Sequence, residues 1–189
     1  MTTLREKYKK EIAPNLQKEL GLKNFFQCPR LNKVVINVGV GNWTTKDSTR
    51  RDEVLKKVSK DLMTITGQKP QICSAKKSIS GFNLREKMPI GLKVTLRGER
   101  MYDFLERFIN IVLPRIRDFQ GVKTSSIDKS GNLTIGLQEQ LVFPEISADD
   151  TDFFFGMEIT VVTSTKEKQA SIELLKKLGM PFSKNEKKV

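Results

Sequence analysis

Lys33 and Asn37 stand four residues apart in Leu31–Val38 (LNKVVINV), and Lys93, Thr95 and Arg97 stand two apart in Ile90–Arg97 (IGLKVTLR). Successive side chains of a β-strand point to opposite faces. Lys33 and Asn37 therefore share one face of their strand, and Val34, Ile36 and Val38 share the other. In the second strand Ile90, Leu92, Val94 and Leu96 alternate with Gly91, Lys93, Thr95 and Arg97, which makes one face core and the other polar and basic. Ammonium, guanidinium, amide and hydroxyl donors on a sheet can hold phosphates and 2′-hydroxyls without a helix entering a groove. An ordinary solvated sheet face has the same composition, and these residues alone leave both readings open.

Between the strands lies a polar, glycine-bearing stretch, Lys76–Pro89, with Lys76, Lys77, Ser78, Phe82, Arg85 and Lys87. Phe82 in such a basic loop is a candidate for stacking on an exposed base. Plain solvation accounts equally well for the charges.

Other chemistry is excluded by composition. The 189 residues include no histidine, which removes Ser-His-Asp and Cys-His nucleophile pairs, imidazole metal sites and the commonest general base. Cys28 and Cys73 are too few for a zinc site or a disulfide framework, and point to a reducing compartment. No metal or cofactor is expected. Gly39-Val40-Gly41 follows a strand, but Thr44 stands where a dinucleotide loop needs its third glycine, so a strand-end turn is the better reading. There is no phosphate-binding G-x-x-x-x-G-K-[ST] run. The acids of Glu145–Asp152 lack calcium-loop spacing and read as solvated charge. No apolar run reaches the ~20 residues that span a bilayer, and Met1–Lys10 lacks the apolar core of a signal peptide.

Charge is strong and segregated. Lys+Arg number 34 against 22 Asp+Glu, a net +12, which favours a polyanionic partner. Lys69–Arg97 holds seven basic residues and one acid, whereas Leu133–Thr160 holds six acids and no base. This predicts a polyanion-facing centre and an acidic edge that points elsewhere.

These residues need elements to position them. Leu4, Tyr8, Ile12, Leu16 and Leu20 form a helical stripe that stops at Gly21 and that Pro14 should kink or split. Asp47 or Ser48 should cap a helix with Val54, Leu55, Val58, Leu62 and Ile65 inward, ended by Gly67. A short strand lies near Ile72. A third helix has Met101, Phe104, Leu105, Phe108 and Ile111 inward and ends at Pro114, followed by an exposed loop with Arg115, Arg117 and Asp118. Leu133–Leu137, after the Ser130-Gly131-Asn132 turn, and Met157, Ile159 and Val161 mark two more strands. Thr165 should cap a last helix bearing Ala170, Leu174, Leu175 and Leu178. The order predicts an α+β single domain: a mixed, mostly antiparallel sheet with helices packed on one face.

The segments Pro29–Gly41 (PRLNKVVINVGVG), Thr66–Phe108, Pro114–Gly121 (PRIRDFQG) and Glu139–Ile146 (EQLVFPEI) resemble the bacterial-type large-subunit ribosomal protein number five family, which binds 5S ribosomal RNA. The resemblance runs from about Leu4 to Phe182, with a family N-terminal half over about 24–80 and a C-terminal half over about 84–178. It implies an RNA-binding structural protein of the central protuberance, not an enzyme, placed in the cytoplasmic or organellar ribosome and needing no presequence. It further implies hydrogen bonds to 5S rRNA from Asn37, Gln68 and Thr95, with charge from Lys33, Lys93 and Arg97. The loop Lys76–Lys87 would reach the tRNA in the peptidyl site. The far edge would meet a small-subunit head protein in an intersubunit bridge, and 23S-type rRNA and neighbouring central-protuberance proteins would complete the partners, with no membrane.

Departures from the family pattern are Ser80 for a small alanine, Asn83 for a common lysine, Lys87 for a common glycine, Gln120 for arginine and Phe153-Phe154-Phe155 for basic residues. The loop, too long for a hairpin turn, is expected to be mobile in the free protein, with Phe82 stacking on a base or pinning the loop to the body. The triplet is expected to make local packing or a protein contact. Two other classes stay in view. A nucleic-acid-modifying enzyme would need a base, metal cluster or nucleotide loop. A membrane-surface adaptor would need its cations on an amphipathic helix rather than on strands and a loop.

Overall fold

The computed structural model describes residues 3–41, 43, 50–147 and 153–183. Five strands form one antiparallel sheet in the order β2-β3-β1-β5-β4: β1 Leu31–Gly39, β2 Gln71–Ser74, β3 Pro89–Leu96, β4 Leu133–Leu137 and β5 Met157–Thr163. The helical segments Leu4–Lys7, Tyr8–Ile12 and Ala13–Glu19 run on without a break as α1. Arg51–Thr66 is α2; Gly98–Arg107, Phe108–Val112 and Leu113–Arg115 together are α3; Lys168–Lys177 is α4. The α+β expectation holds. The chain divides into two compact units, one of 1–34, 97–135 and 160–189, the other of 35–96 and 136–159.

In the first unit both long helices carry a proline inside them, and neither breaks. Each proline follows a five-residue wide turn, Tyr8–Ile12 before Pro14 and Phe108–Val112 before Pro114. The Ala13 N–H reaches back to the Tyr8 carbonyl and the Leu113 N–H to the Phe108 carbonyl, five residues in each case. Widening the helix there relieves the clash between a proline ring and the carbonyl four residues earlier. The expected split at Pro14 is therefore absent, and α3 runs one residue past Pro114. The wide turn also shifts the register by one residue. Ile111 is 43% exposed and Val112 is buried in its stead, while Met101, Phe104, Leu105 and Phe108 point inward as expected. The Phe104 and Phe108 rings stack with centroids 5.9 Å apart.

The last helix starts later than Thr165 suggests. Glu167 is the cap residue, and the Thr165 hydroxyl instead accepts the Glu167 N–H at 3.1 Å, a turn leading into α4. The Asp128 carboxylate closes the turn before β4, accepting the Asn132 main-chain N–H at 2.8 Å, the Asn132 side-chain amide at 2.9 Å and the Ser130 main-chain N–H at 2.8 Å, and these bonds hold its carboxyl below the usual range.

In the second unit α2 buries Val54, Leu55, Val58, Leu62 and Ile65 and ends at Gly67, whose φ of +65° the absence of a Cβ makes cheap. Burial of each such side chain contributes about 1.5–3 kcal/mol by transfer. The proposed caps Asp47 and Ser48 lie outside the described residues. β2 pairs with β3 in the register Gln71–Lys93, Ile72–Leu92 and Cys73–Gly91. Val40 N–H donates to the Ile90 carbonyl at 2.9 Å, tying the end of β1 to the start of β3.

Gly91 is what lets these strands close up. A Cβ there would sit 2.9 Å from the Val38 carbonyl oxygen, a main-chain atom that cannot swing aside. Gly91→Val is expected to destabilise by about 1–3 kcal/mol through overpacking, read as a lowered denaturation midpoint in urea. An unchanged midpoint would mean that the strands part there without cost.

Gln140 is fully buried, a feature that its polar side chain hid in the sequence. Its amide donates to the Phe153 carbonyl and its carbonyl accepts the Phe155 N–H at 2.9 Å, clamping the strand-like entry to β5. Phe155 is buried and Phe153 lies under the Lys57 ammonium, 5.4 Å from the ring centroid, so these two of the triplet pack locally while Phe154 faces solvent.

Candidate nucleic-acid interface

The β1 alternation comes out as read. Val34, Ile36 and Val38 are buried, while Lys33 and Val35 are half-buried and Asn37 is exposed on the opposite face. On β3, Leu92, Val94 and Leu96 are buried and Lys93 and Thr95 are half-buried; Ile90 is half-buried rather than core. Arg97 falls one residue beyond β3, as the cap of α3, but its extended backbone (φ −141°, ψ 164°) carries the alternation on.

Within the second unit, the Val40 N–H bond to the Ile90 carbonyl ties β1, which carries Asn37, to its neighbour β3, which carries Lys93. The amide of Gln68 donates to the Thr95 carbonyl at 3.2 Å. That bond holds a residue from the turn after α2 against the strand and leaves one amide proton and the side-chain oxygen of Gln68 for another partner. Asn37, Gln68, Lys93 and Thr95 are thus positioned by β1, β3 and the Gly67 turn. In the first unit, Lys33 lies on the Asn37 face of β1, and Arg97 is exposed. Among the described residues none of Lys33, Lys93 and Arg97 is ion-paired. Free cations on an extended face can meet phosphates without first breaking a bond.

The stretch after β2 differs from the irregular loop that its composition suggests. It is a hydrogen-bonded hairpin that prolongs β2 and β3. Ala75 N–H donates to Met88 carbonyl at 2.8 Å and Lys87 N–H to Ala75 carbonyl at 2.9 Å. Farther out the Ser78 hydroxyl accepts Glu86 N–H at 2.9 Å, and Ile79 and Leu84 exchange bonds of 3.0 and 3.1 Å across a tight turn. Asn83 (φ +52°) and Lys87 (φ +64°) take left-handed conformations. Asparagine tolerates that region, and the lysine stands where the resemblance has glycine, the residue that adopts it freely.

Lys76, Lys77, Ser78, Arg85 and Lys87 are all exposed on this arm. Phe82, at its tip, is 69% exposed, so it does not pin the arm to the body. Of the acids in the Glu145–Asp152 run, Asp149, Asp150 and Asp152 lie outside the described residues. Among the described residues no helix is long and apolar enough to cross a membrane.

One feature of the first unit is not evident from the sequence. Tyr8, Phe25, Phe26 and Tyr102 meet in a cleft with Arg5, Lys9 and Arg30. The only signal for it is the Phe25-Phe26 pair after Asn24, whose carboxamide oxygen accepts the Phe26 N–H at 2.9 Å.

Residues 24–85 match the family model described as ribosomal protein L5, and residues 89–182 match the model for the C-terminus of the same ribosomal protein family. The chain is 54% identical over 183 residues to the large ribosomal subunit protein uL5 of Prochlorococcus marinus, covering 97% of this chain and 99% of that one. It is 52% identical over 184 residues to the uL5 of Caldanaerobacter subterraneus, covering 97% and 100%. With the uL5 of Kosmotoga olearia it shares 49% over 181 residues, 96% of each.

Proposed function

Because the chain belongs to the ribosomal protein L5 family, structural constituents of the large ribosomal subunit rather than enzymes, we propose that it holds 5S rRNA on the polar strand faces and touches peptidyl-site tRNA with the β2–β3 arm. The observation that carries this reading is the set of polar groups opposite a buried face: among the described residues the side chains of Asn37 and Thr95 have no hydrogen-bond partner, and Gln68 keeps one amide proton and its oxygen beyond its bond to the Thr95 carbonyl. Asn37, Gln68 and Thr95 offer hydrogen bonds to bases and 2′-hydroxyls, and Lys33, Lys93 and Arg97 offer charge to phosphates. The arm presents Lys76, Lys77, Ser78, Arg85 and Lys87 along its length and Phe82 at its tip, a basic strip with one stacking ring. The acidic Leu133–Thr160 segment suits a basic small-subunit head protein across the intersubunit bridge, by charge complementarity. Contacts to 23S-type rRNA and neighbouring central-protuberance proteins complete the placement.

The test separates binding from folding. Asn37→Ala and Thr95→Val each remove a short polar group that no core packing needs. Each should weaken 5S rRNA binding by about 1–3 kcal/mol where it strands a desolvated RNA group, with the melting temperature unchanged. Normal binding together with a collapsed melting temperature would make the two residues structural.

A further inference from the structure

We infer that the aromatic, cationic cleft of the first unit is a second RNA site, which takes one unpaired nucleotide with its base against Phe26 and its phosphates on Lys9 and Arg30. The inference shares with the reading above the premise that the chain binds RNA, but it uses none of the same residues.

Phe26 is 83% exposed and Phe25 45%, and the two rings meet edge to face with centroids 6.2 Å apart. Water contact with so much ring surface is unfavourable, and neighbouring exposed rings of this kind mark binding surfaces. The pair is held out by structure rather than left loose. The Asn24 side chain caps the short helical turn Phe25–Gln27, and the Cys28 N–H closes it on the Phe25 carbonyl at 3.1 Å. Tyr8 and Tyr102 form the inner wall, with ring centroids 6.3 Å apart, and the Tyr8 hydroxyl is already committed to the Pro29 carbonyl at 2.9 Å. Burial, with help from Tyr102, pushes the Tyr8 phenol up to about 12, so that wall is uncharged at any physiological pH.

The charges decide what kind of occupant fits. The lining has three cations and no carboxylate. Arg5 is engaged with Glu99, whereas Lys9 and the Arg30 guanidinium have no ion pair among the described residues. An acidic peptide would satisfy the cations but leave Phe25 and Phe26 wet; an apolar peptide would cover the rings but bury the cations unpaired, which is costly. A nucleotide supplies a flat apolar face and an anion a few bonds apart. The cleft volume of about 230 Å³ lies below the ~300–1,000 Å³ of small-molecule pockets, and suits one ring rather than a whole ligand.

The full-length protein should be tested with a ten-residue oligouridylate carrying 4-thiouridine. Its photo-cross-links should map to the peptide around Asn24–Arg30, and Phe26→Ala should weaken its binding about tenfold, the order of one lost base stack. Phe26→Trp should restore the affinity, and Arg30→Ala should flatten the salt dependence. Because Phe26 is exposed, the melting temperature of each variant should match that of the parent. Cross-links confined to β3 and the arm, or equal affinity for Phe26→Ala, would overturn the proposal. So would unchanged oligouridylate binding with loss of a protein neighbour from assembled ribosomes, which would make the cleft a protein-docking site. Binding of 5S rRNA by Asn37→Ala, measured in parallel, judges the strand-face reading separately.

Discussion

Replacing Lys33, Lys93 and Arg97 together by alanine is expected to weaken binding of 5S rRNA roughly 100- to 500-fold at 0.1 M salt, with little loss at 1 M. Each cation that neutralises a phosphate releases condensed counterions, and the slope of log affinity against log salt changes by about 0.7 to 0.9 per contact. Three contacts therefore change it by about 2.1 to 2.7, and a tenfold step in salt turns that into the stated loss. The three residues have no ion pair among the described residues, so truncation leaves no stranded carboxylate to complicate the comparison. The measurement is a titration of labelled 5S rRNA at four or more salt concentrations. An unchanged slope would put the RNA on another surface, and a uniform loss at every salt concentration would point to misfolding rather than lost phosphate contacts.

Replacing Ser78–Arg85 by two glycines is expected to spare folding and 5S rRNA binding, yet to speed release of peptidyl-site tRNA from assembled ribosomes roughly 5- to 150-fold. The lower part of the arm survives in this variant, because the Ala75–Met88 and Lys87–Ala75 bonds lie outside the excised segment. What is lost is the outer turn, with Phe82 and Arg85. A base stack on a ring contributes about 1–3 kcal/mol, and that range converts to the stated change in rate if the stack is broken on release. No buried side chain is removed, since residues 78–85 are exposed or half-buried throughout. Dissociation of labelled tRNA from purified ribosomes measures the effect directly. Loss of 5S rRNA binding with normal tRNA retention would reverse the roles assigned to the strands and the arm.

The periodic parts of this chain are legible in its sequence, because they depend only on which side of an element meets the core. The two-residue alternation of Val34, Ile36 and Val38 and of Leu92, Val94 and Leu96 defines both strand faces, and therefore puts Lys33, Asn37, Lys93 and Thr95 on the other side. The spacing of Val54, Leu55, Val58, Leu62 and Ile65 does the same for α2. Charge segregation and the absence of histidine bound the chemistry by themselves, since both are read along the chain without knowing what any residue touches.

Tertiary structure decides whatever depends on a partner far away in the chain or on how a local conflict resolves. Whether a proline breaks a helix turns on whether the flanking residues are held by packing. Here Pro14 and Pro114 are both absorbed by a wide turn, and the resulting shift replaces Ile111 with Val112 in the core. The β2–β3 arm reads as irregular because its side chains are polar, yet its order comes from main-chain bonds that any side chains permit. The bond from Gln68 to Thr95 spans 27 residues, and the cleft gathers Tyr8, Phe26, Arg30 and Tyr102 from three separate stretches of chain. Sequence periodicity states that a face is buried or bare; only packing states which distant face or side chain it meets, because that is set by the shapes of the surfaces and not by the pattern along either one.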